Sequence, residues 1–180
     1  MPQLKALTIW QPWASLITAG AKPYEFRSWR PPASLIGQRI VIHAGKAKVD
    51  PIVALGLWNT LMERDYDEDG RIYAAETCLH AELALPILER ACPASIFPDL
   101  AQLPMAAGLG TAIVGEPRLG TDIAAEFGVP RANDSDRDQH ANWGWPMLDI
   151  EVWPEPIPMR GKQGFWNWPT PTEFMEANHG

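Results

Sequence analysis

Most of the information in this chain lies in one run of residues, Gly20-Ala21-Lys22-Pro23-Tyr24-Glu25-Phe26-Arg27-Ser28-Trp29. If residues 24–29 form a strand, successive side chains alternate between two faces of a sheet. One face then carries Glu25, Arg27 and Trp29, a carboxylate, a guanidinium and an indole. The other carries Tyr24 and Phe26 and is suited to a core. This mixture exceeds what solubility requires, so the pattern predicts a recognition surface on the strand.

The rest of the chain predicts an α+β fold of short strands and peripheral helices. Strands are expected at 24–29, 38–44, 111–119, 143–153 and 165–168, after a strand-like apolar run at 6–9. Helices are expected at 13–19, from 50 to about 64, from 74 to about 90 with an end or kink at Pro86, and at 122–127. We expect one domain over residues 1–180, with a helical insert at about 50–108 outside the sheet.

Charge is distributed unevenly along this acidic chain of 180 residues. The formal net charge is −7, yet residues 1–50 hold seven Lys and Arg against two acidic residues, while the remainder holds eight against twenty. The positive charge is therefore gathered around the run at 20–29. An acidic remainder disfavours sequence-independent binding to a long phosphate backbone. A small site for one or a few nucleotides therefore fits better than a duplex groove.

The same run carries a family resemblance. Its residues fit the pattern Gly-x-Lys-x-x-Glu-x-Arg-x-Trp, which resembles the signature of the ASCH domain. Three further blocks fit as well: Leu7-Thr8-Ile9-Trp10-Gln11-Pro12-Trp13-Ala14, Ile42-His43-Ala44 and Gly161-Lys162-Gln163-Gly164-Phe165-Trp166-Asn167-Trp168. The resemblance implies a PUA-like, mostly antiparallel β-barrel related to RNA-binding modules, with a cleft on the face that bears the motif. The segment from about 50 to 108 falls outside it.

Six residues are candidate ligand contacts: Lys22, Glu25, Arg27, Trp29, Trp10 and His43. Arg27 is suited to a bidentate contact with a phosphate or base edge, oriented by Glu25, with Lys22 as a second phosphate contact. Alternatively, these charges form surface ion pairs of little energetic value. Trp29 is suited to stacking on a base, although an indole more often packs in a core. Trp10 is expected to wall the same cleft, and His43 is either a structural residue or a donor in the site.

An enzyme is the competing interpretation. Relatives that the resemblance implies include amidohydrolases of N4-acetylcytidine, which use Lys, Thr and Glu in this region, and ribonucleases. Lys22 matches their lysine, but Glu25 stands where the threonine would be, and Glu126 is a guess for their glutamate. If the chain is an enzyme, Lys22 and Glu25 are the candidate acid and base that activate water. His43 has no Ser or Asp at a recognisable spacing, so a hydrolase triad gets no support.

A second motif lies at 65–76, between two predicted helices, and matches the calcium loop of an EF-hand. Its candidate ligands are Asp65, Asp67, Asp69, Arg71 and Glu76. No partner hand accompanies it, and an acidic turn explains the same composition. A calcium-binding interaction protein is therefore a third interpretation. The first two require no cofactor.

The remaining signals concern location. The first 21 residues imitate a signal peptide, but Gln11 and Pro12 interrupt the apolar run, so we expect no secretion. No run approaches the ~20 apolar residues that span a bilayer, so no membrane partner is expected. Cys78 and Cys92 lack metal or redox spacing and are expected to be reduced thiols. The sequence predicts a cytoplasmic protein whose partner is RNA or a small nucleoside or nucleotide, with no indication of duplex DNA.

Overall fold

A computed structural model describes residues 3–62, 78–98, 100–129 and 142–170. The strands are β1 (Lys5–Ile9), β2 (Tyr24–Arg27), β3 (Arg39–Ala44), β4 (Ala107–Val114), β5 (Arg118–Leu119), β6 (Trp143–Pro158) and β7 (Phe165–Asn167). The helices are α1 (Trp13–Thr18), α2 (Pro51–Met62), α3 (Ala81–Ala91) and α4 (Gly120–Glu126), with a 3₁₀ turn at Ala33–Leu35. The predicted α+β fold is confirmed.

The described strands form one curled sheet in the order β2-β6-β4-β3-β1-β7, with β5 also paired to β6. Every pairing is antiparallel except that of β1 with β3, so the sheet is mostly antiparallel, as predicted. The two edges, β2 and β7, curl towards each other. The ring centroids of Trp29, just after β2, and Phe165 of β7 are 6.5 Å apart. The sheet is therefore a half-barrel with a seam between β2 and β7.

Helix α1 packs against the inner face of the half-barrel. Its Ala14 and Ile17 belong to the main apolar cluster with Leu7 of β1, Ile42 of β3 and Trp145 of β6. The other side of α1 packs against α2 and α3 in a second apolar cluster. The helices of the predicted insert therefore lie outside the sheet, against α1. None of the helices in the described ranges is long and apolar enough to cross a bilayer.

Helix α3 differs from its predicted form. It begins at Ala81 and continues through Pro86 to Ala91, whereas the sequence predicts an end or kink at the proline. The four buried residues of α3 recur at helical spacing: Ala81, Ala84, Leu88 and Ala91. Pro86 and Glu82, whose carbonyl loses a helical partner to the proline, are both exposed to water. Packing of the apolar face therefore outweighs the lost hydrogen bond.

Three strand boundaries also correct the prediction. Strand β2 ends at Arg27 rather than residue 29 because its pairing partner begins at Trp143, opposite Arg27. The strand expected at 111–119 is divided into β4 and β5 around Pro117, which has no amide hydrogen for a ladder. Strand β6 extends to Pro158 rather than 153, because its distal part pairs with β4.

Strand β6 bulges where it pairs with β4. Gly108 pairs with Ile157 and Gly110 with Val152, so two steps along β4 match five along β6. The bulge is Trp153-Pro154-Glu155-Pro156, whose prolines favour a departure from ladder pairing. At its base the strands approach so closely that a β-carbon on Gly110 would lie 2.3 Å from the carbonyl oxygen of Glu151. Glycine is therefore required at position 110.

Two glycine substitutions should change stability in opposite directions. We expect Gly110→Ala to lower the free energy of unfolding by about 2 kcal/mol or more, because backbone must move to admit the methyl group. The matched control is Gly56→Ala in α2, where a β-carbon meets nothing within 4 Å. It should raise the free energy of unfolding by about 0.5–1 kcal/mol, the helix-propensity difference. Urea denaturation of both variants measures the contrast, and a Gly110→Ala variant as stable as the wild type would contradict the bulge geometry.

Candidate ligand-binding site

A tight turn positions Lys22 between α1 and β2. Helix α1 ends at Thr18 with Ala19 as its C-cap, and the next residue, Gly20, has a φ of +74° that favours glycine. The amides of Ala21 and Lys22 both donate to the carbonyl of Leu16, at 2.9 and 3.0 Å. The backbone at Lys22 is therefore fixed by the end of the helix before β2 begins.

The amine of Lys22 is buried. The residue is 1% exposed, and its Nζ lies 5.4 Å from the ring centroid of Trp13 and 4.6 Å from that of Phe26. Both contacts are within cation–π range, which is strongest for desolvated pairs. The structure thus places the Lys22 amine against two aromatic rings, and the sequence allowed either a phosphate contact or a desolvated amine at this position.

Glu25 and Arg27 form an ion pair on one face of β2, as the alternation predicts. Arg27 Nη2 lies 2.7 Å from Glu25 Oε1, with side chains 31% and 7% exposed respectively. The opposite face of β2 carries Phe26, which packs with Ile123 of α4. Arg27 Nε is buried and has no hydrogen-bond partner among the described residues. The guanidinium is therefore oriented by Glu25 yet retains donor capacity.

Aromatic rings surround this ion pair. Register places Trp145 opposite Glu25 and Trp143 opposite Arg27. Trp145 and Phe165 are stacked at 5.8 Å and 11°, and Trp29 meets Trp145 edge-on at 4.8 Å. Trp145 Nε1 donates to the carbonyl of Trp29 at 3.0 Å. We call Trp29, Trp143, Trp145 and Phe165 the aromatic patch.

One ring of the aromatic patch reaches the surface more than the others. Trp29 is 43% exposed, whereas Trp145 is fully buried. Arg30 lies 4.9 Å from the ring centroid of Trp143 and pairs with Glu116, so a second guanidinium borders the patch. The exposed indole of Trp29 therefore packs on the buried Trp145, and the guanidinium groups of Arg27 and Arg30 border the same patch. This arrangement is suited to stack on a planar group and to bind an adjacent anion.

The two remaining candidates are Trp10, just after β1, and His43 of β3. Trp10 follows β1 and is 70% exposed, beside Gly45. His43 of β3 is fully buried, with Nε2 2.9 Å from the carbonyl of Met159 and Nδ1 3.3 Å from the hydroxyl of Thr8. A neutral ring satisfies both contacts, donating through Nε2 and accepting at Nδ1. This geometry matches the structural alternative for His43 rather than the donor in the site.

Burial lowers the pKa of His43 from its usual 6.5, against an opposing effect of the hydrogen bond to Met159. The unfolded chain therefore binds a proton at a higher pH than the folded protein. The contribution of His43 to the free energy of unfolding is fully present above pH 6.5. It is lost as the pH drops towards the folded pKa, by up to about 1.4 kcal/mol per pH unit. Urea denaturation between pH 7.5 and about 5 should show this slope, and His43→Gln should reduce it. An unaltered slope in His43→Gln would refute the assignment.

Glu126 does not lie with Glu25 and Arg27. It pairs with Arg118 at 2.6 Å, and Arg118 donates to the hydroxyl of Tyr24 at 2.7 Å. Tyr24 belongs to the face of β2 opposite Glu25. The guess that Glu126 is a catalytic glutamate beside Glu25 is therefore corrected, because α4 carries it to the other side of the strand.

The candidate calcium loop at 65–76 lies outside the described residues. Within the ranges that the structure describes, no group of three or more His, Cys, Asp or Glu side chains is arranged to hold a metal ion. Cys78 and Cys92 are both buried and not in a disulfide, and burial beside Glu89 raises the pKa of the Cys92 thiol. The Cys92 thiol is therefore poorly suited to act as a nucleophile.

Sequence reasoning missed three members of the aromatic patch. Trp143, Trp145 and Phe165 lie far from the motif in sequence and reach it through the pairing of β2 with β6 and the curl that brings β7 close. The alternating Trp143-Gly144-Trp145 was a usable signal, because it places two indoles on one face of a strand. Its register against β2 was not readable from the sequence.

Comparison with known proteins finds one family that matches part of the chain. The ASCH domain family matches residues 7–87, from β1 into α3, and so includes the whole motif at 20–29. This chain therefore contains a match to the ASCH domain over residues 7–87. Among solved structures, the crystal structure of a mutant of the ASCH protein ZmASCH from Zymomonas mobilis is 13% identical, with 98% of this chain and 95% of that chain covered and a TM-score of 0.47. No curated protein matches the chain.

Proposed function

We propose that this protein binds single-stranded RNA or a modified nucleoside at the surface formed by Arg27, Arg30 and the aromatic patch. The observation that carries the proposal is the half-exposed indole of Trp29 held beside an oriented guanidinium with a buried, unused donor. Stacking and charge-assisted hydrogen bonding together are what unpaired bases and their phosphates require. The ASCH family, which resembles RNA-binding modules, supports a ligand of this type.

The geometry of Arg27 favours an anionic or base-edge ligand over a purely structural pair. A buried donor without a partner costs about 1–3 kcal/mol, and a ligand oxygen at Nε would relieve that cost. Glu25 fixes the guanidinium from one side, so little side-chain freedom is lost when a ligand binds. An ion pair that served only solubility would have its remaining donors in water, whereas Arg27 Nε is buried.

The structure of the aromatic patch favours an unpaired base. Trp29 is braced by Trp145 and Phe165, so its exposed ring is already ordered before a base arrives. Stacking of one base on such a ring contributes about 1–3 kcal/mol. A duplex keeps its bases stacked internally and offers no free ring face, which is consistent with an acidic chain whose positive charge is local.

A second candidate function, hydrolysis of an acylated nucleoside or of RNA, is favoured by the burial of Lys22 and Glu25. Both residues are 5% exposed or less, with Lys22 in the turn before β2 and Glu25 within that strand. Groups kept from bulk water are the ones suited to proton transfer. The glutamate at position 25, where the amidohydrolase relatives carry threonine, means that water rather than a side-chain hydroxyl would attack. Calcium binding at 65–76 and a cytoplasmic location remain predictions from the sequence.

A binding screen tests the proposal. Nucleosides, acylated cytidine, nucleotides and short single-stranded RNA are titrated by calorimetry, with duplex DNA of equal charge as the negative comparison. We expect saturable binding of at least one single-stranded or mononucleoside ligand, weakened by about tenfold in Trp29→Ala through loss of stacking. The matched control is Ile52→Ala, which truncates an exposed apolar side chain of α2. Equal losses in both variants, or binding of duplex DNA alone, would contradict the proposed surface.

A further inference from the structure

A cleft lies between α1, α3 and the bulge of β6, apart from the surface formed by Arg27, Arg30 and the aromatic patch. Its volume is about 450 Å³, within the range of small-molecule sites. The walls combine residues of four elements: Thr18 of α1, Ile87 and Arg90 of α3, Leu109 of β4, and Val152 and Pro156 of β6. None of residues 22–29 lines it, so this cleft is separate from the Arg27 surface.

The bulge gives the cleft a rigid wall. Pro154 and Pro156 fix their own backbone angles, and the ring of Trp153 rests 5.5 Å from that of Trp168. Gly110 anchors the base of the bulge through its close approach to Glu151. A wall that is already ordered loses little conformational freedom when a ligand binds. Bulges of this kind are over-represented next to functional sites.

Arg90 supplies the charged group of the cleft. Its Nε donates to the carbonyl of Ala101 at 2.9 Å, and its Nη2 to the carbonyl of Gln102 at 3.3 Å. Both acceptors are neutral, and no ion pair within the described part of the chain involves Arg90. The guanidinium is therefore held in position without being neutralised, beside mostly apolar walls. An anionic group on an apolar body complements this combination.

We propose that the cleft binds a small amphipathic anion, an apolar or aromatic body that carries one carboxylate or comparable anionic group. The body packs against Leu109, Ile87 and the proline-rich bulge, and the anionic group meets the guanidinium of Arg90. This inference does not depend on RNA or nucleoside binding at Arg27.

The test uses 1-naphthoate and its neutral isostere 1-naphthamide, titrated into the whole protein by calorimetry. We expect naphthoate to bind at a single site with sub-millimolar affinity and naphthamide to bind about tenfold more weakly. Arg90→Met, which keeps an unbranched side chain without charge, should reduce naphthoate affinity to that of naphthamide. Equal affinity for the two probes in the wild type would overturn the role of Arg90, and no saturable binding of either would overturn the site.

Because Arg90 also donates to the carbonyls of Ala101 and Gln102, its replacement could disturb that segment, so a second variant tests the cleft without changing Arg90. Val152 is exposed and lines the cleft, so Val152→Phe should fill it without disturbing the core and abolish binding of both probes. The matched control is Val53→Phe, an equally conservative change at an exposed position of α2 outside the cleft. Its affinities should equal those of the wild type. Wild-type binding in Val152→Phe, or equal loss in both variants, would locate the probes elsewhere.

Discussion

Replacing Arg27 by alanine is expected to lower the affinity for single-stranded RNA or a nucleotide by about 10- to 100-fold. A bidentate contact from arginine to a base edge contributes about 1–3 kcal/mol, and each 1.4 kcal/mol is tenfold in affinity. Calorimetry against the ligand found in the binding screen measures the loss. Arg27→Lys should recover only part of the affinity, because an ammonium restores the charge without the planar pair of donors.

Stability has to be measured beside affinity in these variants. Removing Arg27 takes a cation from Glu25, whose side chain is 7% exposed, so the free energy of unfolding should fall by about 1–3 kcal/mol. The matched control is Arg118→Ala, which removes an arginine whose partners, Tyr24 and Glu126, lie away from Glu25. A folded Arg27→Ala protein that binds as tightly as the wild type would show that the motif serves the fold alone.

Lys22→Met should separate binding from catalysis. Methionine nearly preserves the volume of the buried side chain but has no amine, so the packing against Trp13 and Phe26 is largely kept. Arginine is unsuitable here, because a larger group at a 1% exposed position strains its surroundings. We expect Lys22→Met to bind within about threefold of the wild type, since rings cover the amine.

Turnover is measured in parallel with acylated cytidine and short RNA as substrates. If Lys22 transfers a proton, Lys22→Met loses turnover by about 10²- to 10⁴-fold while its affinity is kept. Wild-type turnover in this variant would remove Lys22 from the chemistry. If the wild-type protein binds both substrates but converts neither, hydrolysis is excluded for them and ligand binding is the function that stands.

Local pattern predicted the faces of β2 well. Period-two alternation placed Glu25 and Arg27 together and Phe26 opposite, and the glycine after α1 marked the end of the helix. These features depend on neighbours in sequence and on backbone preferences that act within a few residues. The family resemblance extended the prediction to a mostly antiparallel β-barrel with the helices of the insert outside it, and the structure is a half-barrel.

What the sequence did not reveal depends on tertiary contacts. The burial of Lys22 follows from the approach of Trp13 of α1 and Phe26 of β2 to its amine. The aromatic patch follows from the register of β6 and the curl that brings Phe165 close. Pro86 stays within α3 because distant packing outweighs a local penalty. The bulge at 153–156 is a mismatch between two strands, so neither strand alone predicts it.

The most direct test of the RNA-binding surface follows the indole N–H signals of the nine tryptophans in nuclear magnetic resonance spectra. Each signal is assigned by a single Trp→Phe variant, and short single-stranded RNA is then titrated into the wild type. The surface predicts that Trp29 and Trp143 shift with one saturating affinity, while Trp58, packed against Phe97, stays in place. Shifts at Trp58 or Trp153 with Trp29 and Trp143 unchanged would contradict the account.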